Sequence, residues 1–240
     1  MSAIPKLGAI WVYLAASPLL GLTITLLAYL VAQALYAKSR FNPLVNPVLI
    51  AVALLVMLLE ITGTPYATYF EGAQFVHFLL GPATVAIAVP LVRHRTLVLT
   101  NIVPMAAALL AGAVTAVVSV VGVAAAFGVP REILVSLAPK SVTAGVAMGI
   151  SESLGADPSL TAVSVILTGI MGAIVVTPLM NRAGITDLRA RGFAAGLAAH
   201  GIGTARAFAV DEIAGTFAGI AMGLNGVATS LVVPILLQWL

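Results

Sequence analysis

The chain has 240 residues, of which 61% are hydrophobic and 8% are charged. Soluble domains contain about 25% charged residues, so this composition excludes a soluble enzyme with a solvated surface. The net charge of +3 is spread along the chain without a basic stripe, which argues against nucleic-acid binding. Since the chain has no cysteine, disulfides and thiolate metal sites are excluded as well.

Uncharged apolar runs recur along the chain, and a membrane-crossing helix needs about 20 such residues. Six crossings are predicted, at residues 7–37, 41–59, 72–92, 97–129, 160–180 and 213–240. In the first run, Trp11 and Tyr13 are expected at the membrane interface, with the span itself beginning near Leu19. The second helix is expected to begin after Asn46 and Pro47, because proline suits a first helical turn. We therefore predict an all-α integral membrane protein, a polytopic helical bundle.

The positions of the basic residues predict an orientation, because lysine and arginine in short loops stay cytoplasmic. Basic clusters occur at residues 38–40, 93–95 and 182–191, whereas the loop at residues 60–71 is acidic. With all three clusters inside, residues 133–155 must begin and end on the outer side of the membrane. This predicts a re-entrant hairpin and places the N-terminus outside.

Charged and titratable side chains also occur inside two glycine-rich stretches of otherwise apolar sequence, residues 138–155 and 199–206. Membranes tolerate interrupted backbone and ionisable groups only where these line a protein-enclosed or water-filled cavity. We therefore predict that these two broken segments form the functional site.

In the first stretch, Lys140 stands beside the hydroxyls of Ser141 and Thr143. This pattern predicts a cation that binds an anionic substrate, aided by unpaired N–H groups at a helix start. The alternative is a lysine that reaches up to the outer headgroups. Glu152 either pairs with Lys140, couples transport to a proton or Na⁺, or lies in the headgroup layer.

The second stretch reads HGIGTAR and supplies five candidates: His200, Gly201, Gly203, Thr204 and Arg206. The arginine fork matches a carboxylate in two-point contact, and histidine can carry a proton near neutral pH. Glycines let the backbone approach a ligand closely. The alternatives are that the glycines serve helix packing and that Arg206 pairs with the acidic residues at 211–212.

A weaker pattern links GPATV at residues 81–85 to APKSV at residues 138–142. If it marks an internal repeat, Pro82 and Thr84 join the site, although so short a match also arises by chance. Asn225, between two glycines in an apolar span, is either a ligand or a helix-to-helix hydrogen bond. No known enzyme motif is present, so we expect no enzyme and no cofactor.

Several motifs strongly resemble the LrgB/CidB family, and the likeness extends over nearly the whole chain from Pro18 onward. They are PKSVTAGVAMGISESLG, LTGIMGAIVVTPLM, ARGFAAGLAAHGIGTARAF, GTFAGIAMGLNGV and FEGAQFVHFLLGPATVAIAVPL. Members of that family were named antiholin-like regulators of murein hydrolases and autolysis. The same module resembles the C-terminal half of the plastid glycolate/glycerate translocator. Bacterial relatives have been tied to the export or uptake of small monocarboxylates such as pyruvate. One departure is Ala144-Gly145, where bulkier residues are expected.

The resemblance and the residues together imply a carrier of small monocarboxylates, of the glycolate, glycerate, pyruvate or lactate type, working by alternating access. The alternative is a holin- or antiholin-like protein that modulates murein hydrolases and autolysis. Residues 1–62 are expected to form a scaffold and homodimer contact, and residues 72–240 an elevator-like transport unit. The expected setting is the lipid bilayer of a bacterial inner membrane, and the resemblance also implies an LrgA-like membrane partner.

Overall fold

The computed structural model describes residues 18–238, and all regular structure in that range is α-helical. The predicted interfacial residues Trp11 and Tyr13, and the N-terminus itself, lie outside the described residues. The helices are α1 (Pro18–Lys38), α2 (Pro47–Thr62), α3 (Tyr66–Phe78), α4 (Leu80–Arg93), α5 (Arg95–Leu99), α6 (Ile102–Ala126), α7 (Arg131–Leu137), α8 (Ala144–Ser153), α9 (Pro158–Arg182), α10 (Leu188–Val210) and α11 (Glu212–Leu237). The prediction of an all-α membrane protein is confirmed.

Four of the described helices, α1, α6, α9 and α11, are long and apolar enough to cross a membrane. Helix α2 is apolar but has only 16 residues. It begins as predicted, with Pro47 in its first turn and the Asn46 side chain accepting hydrogen bonds from the N–H groups of Val48 and Leu49. Gly63 ends it with a positive φ of 62°, a conformation that glycine adopts without steric cost.

The predicted crossing at residues 72–92 is wrong as a single helix, because the chain is interrupted at Leu79 between α3 and α4. Pro82 explains the interruption. A proline has no N–H to donate, and its ring clashes with the carbonyl four residues earlier, here that of Phe78. Helix α3 therefore ends at Phe78. The similar motif at residues 138–142 is not helical, so the two segments proposed as a repeat differ in backbone conformation.

The chain divides into two compact units, one ending at Ala86 and one beginning at Ile87. In the first unit, α1 packs against α2 and α3. A Cβ on Gly21 would lie 2.4 Å from the Tyr69 carbonyl oxygen, so glycine permits the close approach of α1 and α3. The Thr25 and Tyr69 hydroxyls are 2.8 Å apart. This structural division falls later than the predicted functional one at residues 62–72, which stays a prediction.

In the second unit, α10 and α11 form the most intimate helix pair. A Cβ on Gly192 would lie 2.0 Å from the Ala214 carbonyl oxygen, and one on Gly196 would lie 2.0 Å from that of Ala218. Small residues four apart allow backbones in membranes to approach this closely. Helix α9 packs against α7, α8 and α10, and α6 packs against α10 and α11. Phe217, 1% exposed, lies in the core between them.

Candidate functional site

The first predicted broken segment folds back on itself. Helix α7 ends at Leu137 and α8 begins at Ala144, with Pro139 in the intervening turn. The Thr161 hydroxyl oxygen on α9 lies 2.9 Å from the Ser136 carbonyl oxygen and 2.8 Å from the Ser151 hydroxyl oxygen. The two arms of the segment therefore meet at the start of α9, as the hairpin prediction requires. The side of the membrane on which the hairpin opens stays a prediction.

The second predicted break lies inside α10, at Ala199 and His200. His200 has φ 41° and ψ −130°, a strained conformation for a residue with a side chain. Its ring is buried, and Nε2 lies 2.9 Å from the Val165 carbonyl oxygen. Because a carbonyl oxygen can only accept a hydrogen bond, Nε2 is the donor. The ring lies over Gly169, where a Cβ would be 2.6 Å from the imidazole Cε1. Anchoring on α9 therefore holds the break in place.

Asn225 on α11 connects the two breaks. Its amide nitrogen lies 3.0 Å from the Leu197 carbonyl oxygen and 3.3 Å from that of Ser141. Its amide oxygen accepts a hydrogen bond from the Thr229 hydroxyl at 3.1 Å. Asn225 is 0% exposed. It therefore satisfies backbone groups of the two interrupted segments, and a ligand role for Asn225 stays a prediction.

A cleft of about 500 Å³, here called the Lys140 cleft, lies where the two breaks face α6. One wall is α6, through Ala111, Gly112, Thr115 and Ala116. The breaks supply the rest, through Lys140, Ser141, Leu197 and Ala198.

Lys140 itself is half-buried, and no residue within 18–238 accepts a hydrogen bond from its ammonium group or forms an ion pair with it. The cleft thus combines small side chains with one unneutralised cation.

Three further candidates on α10, Gly201, Gly203 and Thr204, are not among the residues that line the cleft. The Thr204 hydroxyl donates to the His200 carbonyl oxygen at 2.8 Å. A Cβ on Gly203 would lie 2.3 Å from the Ala195 carbonyl oxygen, whereas the nearest atom to one on Gly201 is the Met222 sulfur at 4.0 Å. Glycine at position 203 therefore permits a close backbone approach, and a ligand role for Gly203 stays a prediction.

Arg206 does not line the Lys140 cleft. It lines a separate space of about 50 Å³ together with Thr177 and Arg191. The structure thus places Lys140 and Arg206 in different clefts, and their joint grip on one carboxylate stays a prediction.

The other candidates also lie away from the cleft lining. Thr143 is the N-cap of α8, without a side-chain cap hydrogen bond. Glu152 is exposed in the last turn of α8, and none of the ion pairs in the described part of the chain joins it to Lys140. Pro82 is exposed in the first compact unit, and the Thr84 side chain is outside the described part of the structure.

Sequence comparison identifies the family. The sequence profile of the LrgB-like family matches residues 25–239. The chain belongs to the LrgB-like family. It is 32% identical over 214 residues to the holin-like protein CidB of Staphylococcus epidermidis, covering 89% of this chain and 93% of that protein. It is also 32% identical over 219 residues to CidB of Staphylococcus aureus, covering 91% and 95%.

A third relative is the uncharacterized protein YwbG of Bacillus subtilis, 33% identical over 223 residues, which cover 92% of this chain and 98% of that protein. No solved structure matches the chain. The resemblance predicted from the motifs is confirmed, and this LrgB-like chain is a multi-pass membrane protein by its family and its four apolar helices.

Two charged side chains pair at the N-terminus of α10 in this LrgB-like protein. Asp187 caps the helix by accepting a hydrogen bond from the Arg189 N–H at 2.8 Å. The Arg189 guanidinium also donates to the Asp187 carboxylate, and this contact holds the pKa of Asp187 at about 2, below its ordinary value of 3.8. Within the described range, no three His, Asp or Glu residues cluster as metal ligands would.

Sequence reasoning missed the α6 wall and Leu197. A usable signal exists on α6, where Ala108, Gly112 and Ala116 recur every four residues and so lie on one helix face. Leu197 carries no such signal, because its role depends on the tertiary contact between α6 and α10.

Proposed function

We propose that this protein moves small carboxylate anions across the membrane and that the anion binds at Lys140. The observation that carries the proposal is the half-buried Lys140 ammonium, which has no partner among the described residues of its cleft. A charge inside a membrane protein is costly unless it is paired. A bound carboxylate would supply the missing partner.

The surroundings of Lys140 favour an anion with one negative charge. Lys140 is the one charged residue among those lining the cleft. The Ser141 hydroxyl oxygen lies 3.4 Å from the Asn225 amide nitrogen and accepts from it, so its own hydrogen is available to a ligand. The Thr115 hydroxyl lies on the facing wall. One cation and two hydroxyls suit a small monocarboxylate such as glycolate, glycerate, pyruvate or lactate.

The comparisons favour a second candidate more directly than they favour a carrier. Both staphylococcal relatives are named holin-like proteins. On that candidate, this protein acts at the bacterial inner membrane as a holin- or antiholin-like factor that modulates murein hydrolases and autolysis. A homodimer, an LrgA-like partner and an outward N-terminus are compatible with either candidate.

Purified protein in sealed liposomes separates the candidates. Radiolabelled glycolate and pyruvate are supplied outside, and an unrelated fluorescent dye is trapped inside. A carrier gives uptake that saturates with substrate concentration and no dye release. A holin-like pore releases the dye and gives uptake that rises linearly with concentration. If the liposomes show neither substrate uptake nor dye release, the carrier proposal is contradicted. Regulation through protein partners would then be the remaining candidate.

A further inference from the structure

A second cavity adjoins the Lys140 cleft. This cavity of about 480 Å³, here called the Phe193 chamber, lies between α6 and the first half of α10. Its lining is mostly apolar and includes Met105, Phe193 and Phe217, while the capping pair of Asp187 and Arg189 lies at its polar end. The Arg189 guanidinium also donates to the Asn101 side-chain oxygen at 3.3 Å, which joins the beginnings of α6 and α10 there.

The chamber and the cleft share three lining residues, Gly112, Leu197 and Ala198. Gly112 and Leu197 are in direct contact: a Cβ on Gly112 would lie 2.7 Å and 2.9 Å from the two terminal methyl carbons of Leu197. The Leu197 side chain therefore occupies the space that separates the two cavities.

The backbone and the side chain of Leu197 differ in how firmly they are held. Its carbonyl oxygen is fixed by the Asn225 amide, 3.0 Å away. The contact with Gly112 involves only the far end of the leucine side chain, which moves by rotation about its χ angles without displacing the helix. Leu197 also lies two residues before the break, where only Ala199 and His200 leave helical geometry before the helix continues.

We propose that the Phe193 chamber is a second compartment of the permeation path and that Leu197 is the gate between it and the Lys140 cleft. The anion would pass between Leu197 and Gly112 when the leucine side chain rotates. Because Gly112 has no side chain, nothing on the opposite wall would obstruct the passage. The identity of the permeating anion rests on the proposed function. The connection between the two cavities, however, can be tested without any substrate.

The absence of native cysteine makes a direct test available. One cysteine is placed at Ala108, which lines only the chamber, or at Thr115, which lines only the cleft. Sealed vesicles are treated with a small, membrane-impermeant sulfonate thiol reagent on the face that carries the α9–α10 turn. A thiol that quenches the reagent is held on the other face. A third variant, Ala183→Cys in that exposed turn, identifies the face.

The gate predicts opposite effects from two substitutions. Leu197→Ala should raise the labelling rate at position 115 several-fold and leave the rate at position 108 unchanged. Gly112→Val should lower the rate at position 115, because a branched side chain fills the passage. Gly122→Val is the matched control on the same helix, since a Cβ there meets nothing within 4 Å, and it should change neither rate.

Labelling at position 115 that responds to neither substitution would overturn the gate. Each variant is compared with the parent for a monodisperse elution profile. If Leu197→Ala fails to fold, the comparison of Gly112→Val with Gly122→Val decides the question alone. Because labelling requires no transport, a failed gate leaves the carrier proposal to the liposome experiment, and a failed carrier leaves the labelling result standing.

Discussion

The amide nitrogen of Asn225 lies 3.0 Å from the carbonyl oxygen of Leu197. Leu197 lines the Lys140 cleft and lies two residues before the break at Ala199 in α10. The same nitrogen lies 3.3 Å from the Ser141 carbonyl oxygen in the turn of the hairpin. A single buried side chain on α11 thus holds two interrupted segments in register. The walls of the Lys140 cleft depend on that register, although Asn225 itself does not line the cleft.

Asn225→Ala should destabilise the folded protein. It leaves the Leu197 and Ser141 carbonyl groups without this donor, and an unsatisfied buried polar group costs about 1–3 kcal/mol. Thermal unfolding in detergent, followed by circular dichroism, measures the change. Ser230→Ala is the control, because that hydroxyl donates only to the Gly226 carbonyl within α11. Equal melting temperatures for the two variants would contradict the bridging role.

Gly196→Val should disrupt the α10–α11 pair. A Cβ at this position would lie 2.0 Å from the Ala218 carbonyl oxygen, and a backbone atom cannot move aside as a side chain can. Overpacking of this kind costs about 1–3 kcal/mol or more. Gly223→Val on α11 provides the comparison, since a Cβ there meets nothing within 4 Å. The two are compared by yield of monodisperse protein and by melting temperature. A fully stable Gly196→Val protein would show that the helices are farther apart than described.

The breaks could be predicted from sequence because their signals are local. Proline and glycine change the backbone wherever they occur, so Pro139 and the HGIGTAR run marked interruptions without any tertiary information. The interruption at Leu79 follows from Pro82 by the same rule. The apolar run around it is nevertheless long enough for one crossing, so its length alone does not reveal the interruption.

The composition of the cleft could not be predicted in the same way. Lys140 and Ser141 line it, but Arg206 lies six residues beyond His200 and lines a different space. The direction in which Arg206 points depends on the φ and ψ angles at Ala199 and His200, which spacing along the chain does not reveal. Thr115 and Leu197 belong to the cleft only because α6 packs against α10.

Acid should weaken the cap at the start of α10. The pKa of Asp187 is about 2 in the folded protein and 3.8 ordinarily, so its pair with Arg189 stabilises the fold above about pH 4. That contribution is lost as the pH falls from 4 toward 2. The effect should be small, because both side chains are largely solvated. Melting temperatures between pH 6 and pH 2.5 should fall less steeply for Asp187→Asn than for the parent. Parallel curves would contradict the assignment.

The central claim is that Lys140 holds the transported anion, and saturable uptake by the Lys140→Gln protein in liposomes tests it most directly. The substitution removes the charge and keeps a side chain of similar length. Lys38→Gln, at the exposed end of α1, is the matched control. Losing a buried charge-assisted contact costs about 2–5 kcal/mol, which is more than a tenfold loss of apparent affinity. We expect that loss in Lys140→Gln, with Lys38→Gln unchanged. Saturable uptake with the parent's affinity in a folded Lys140→Gln protein would contradict the account.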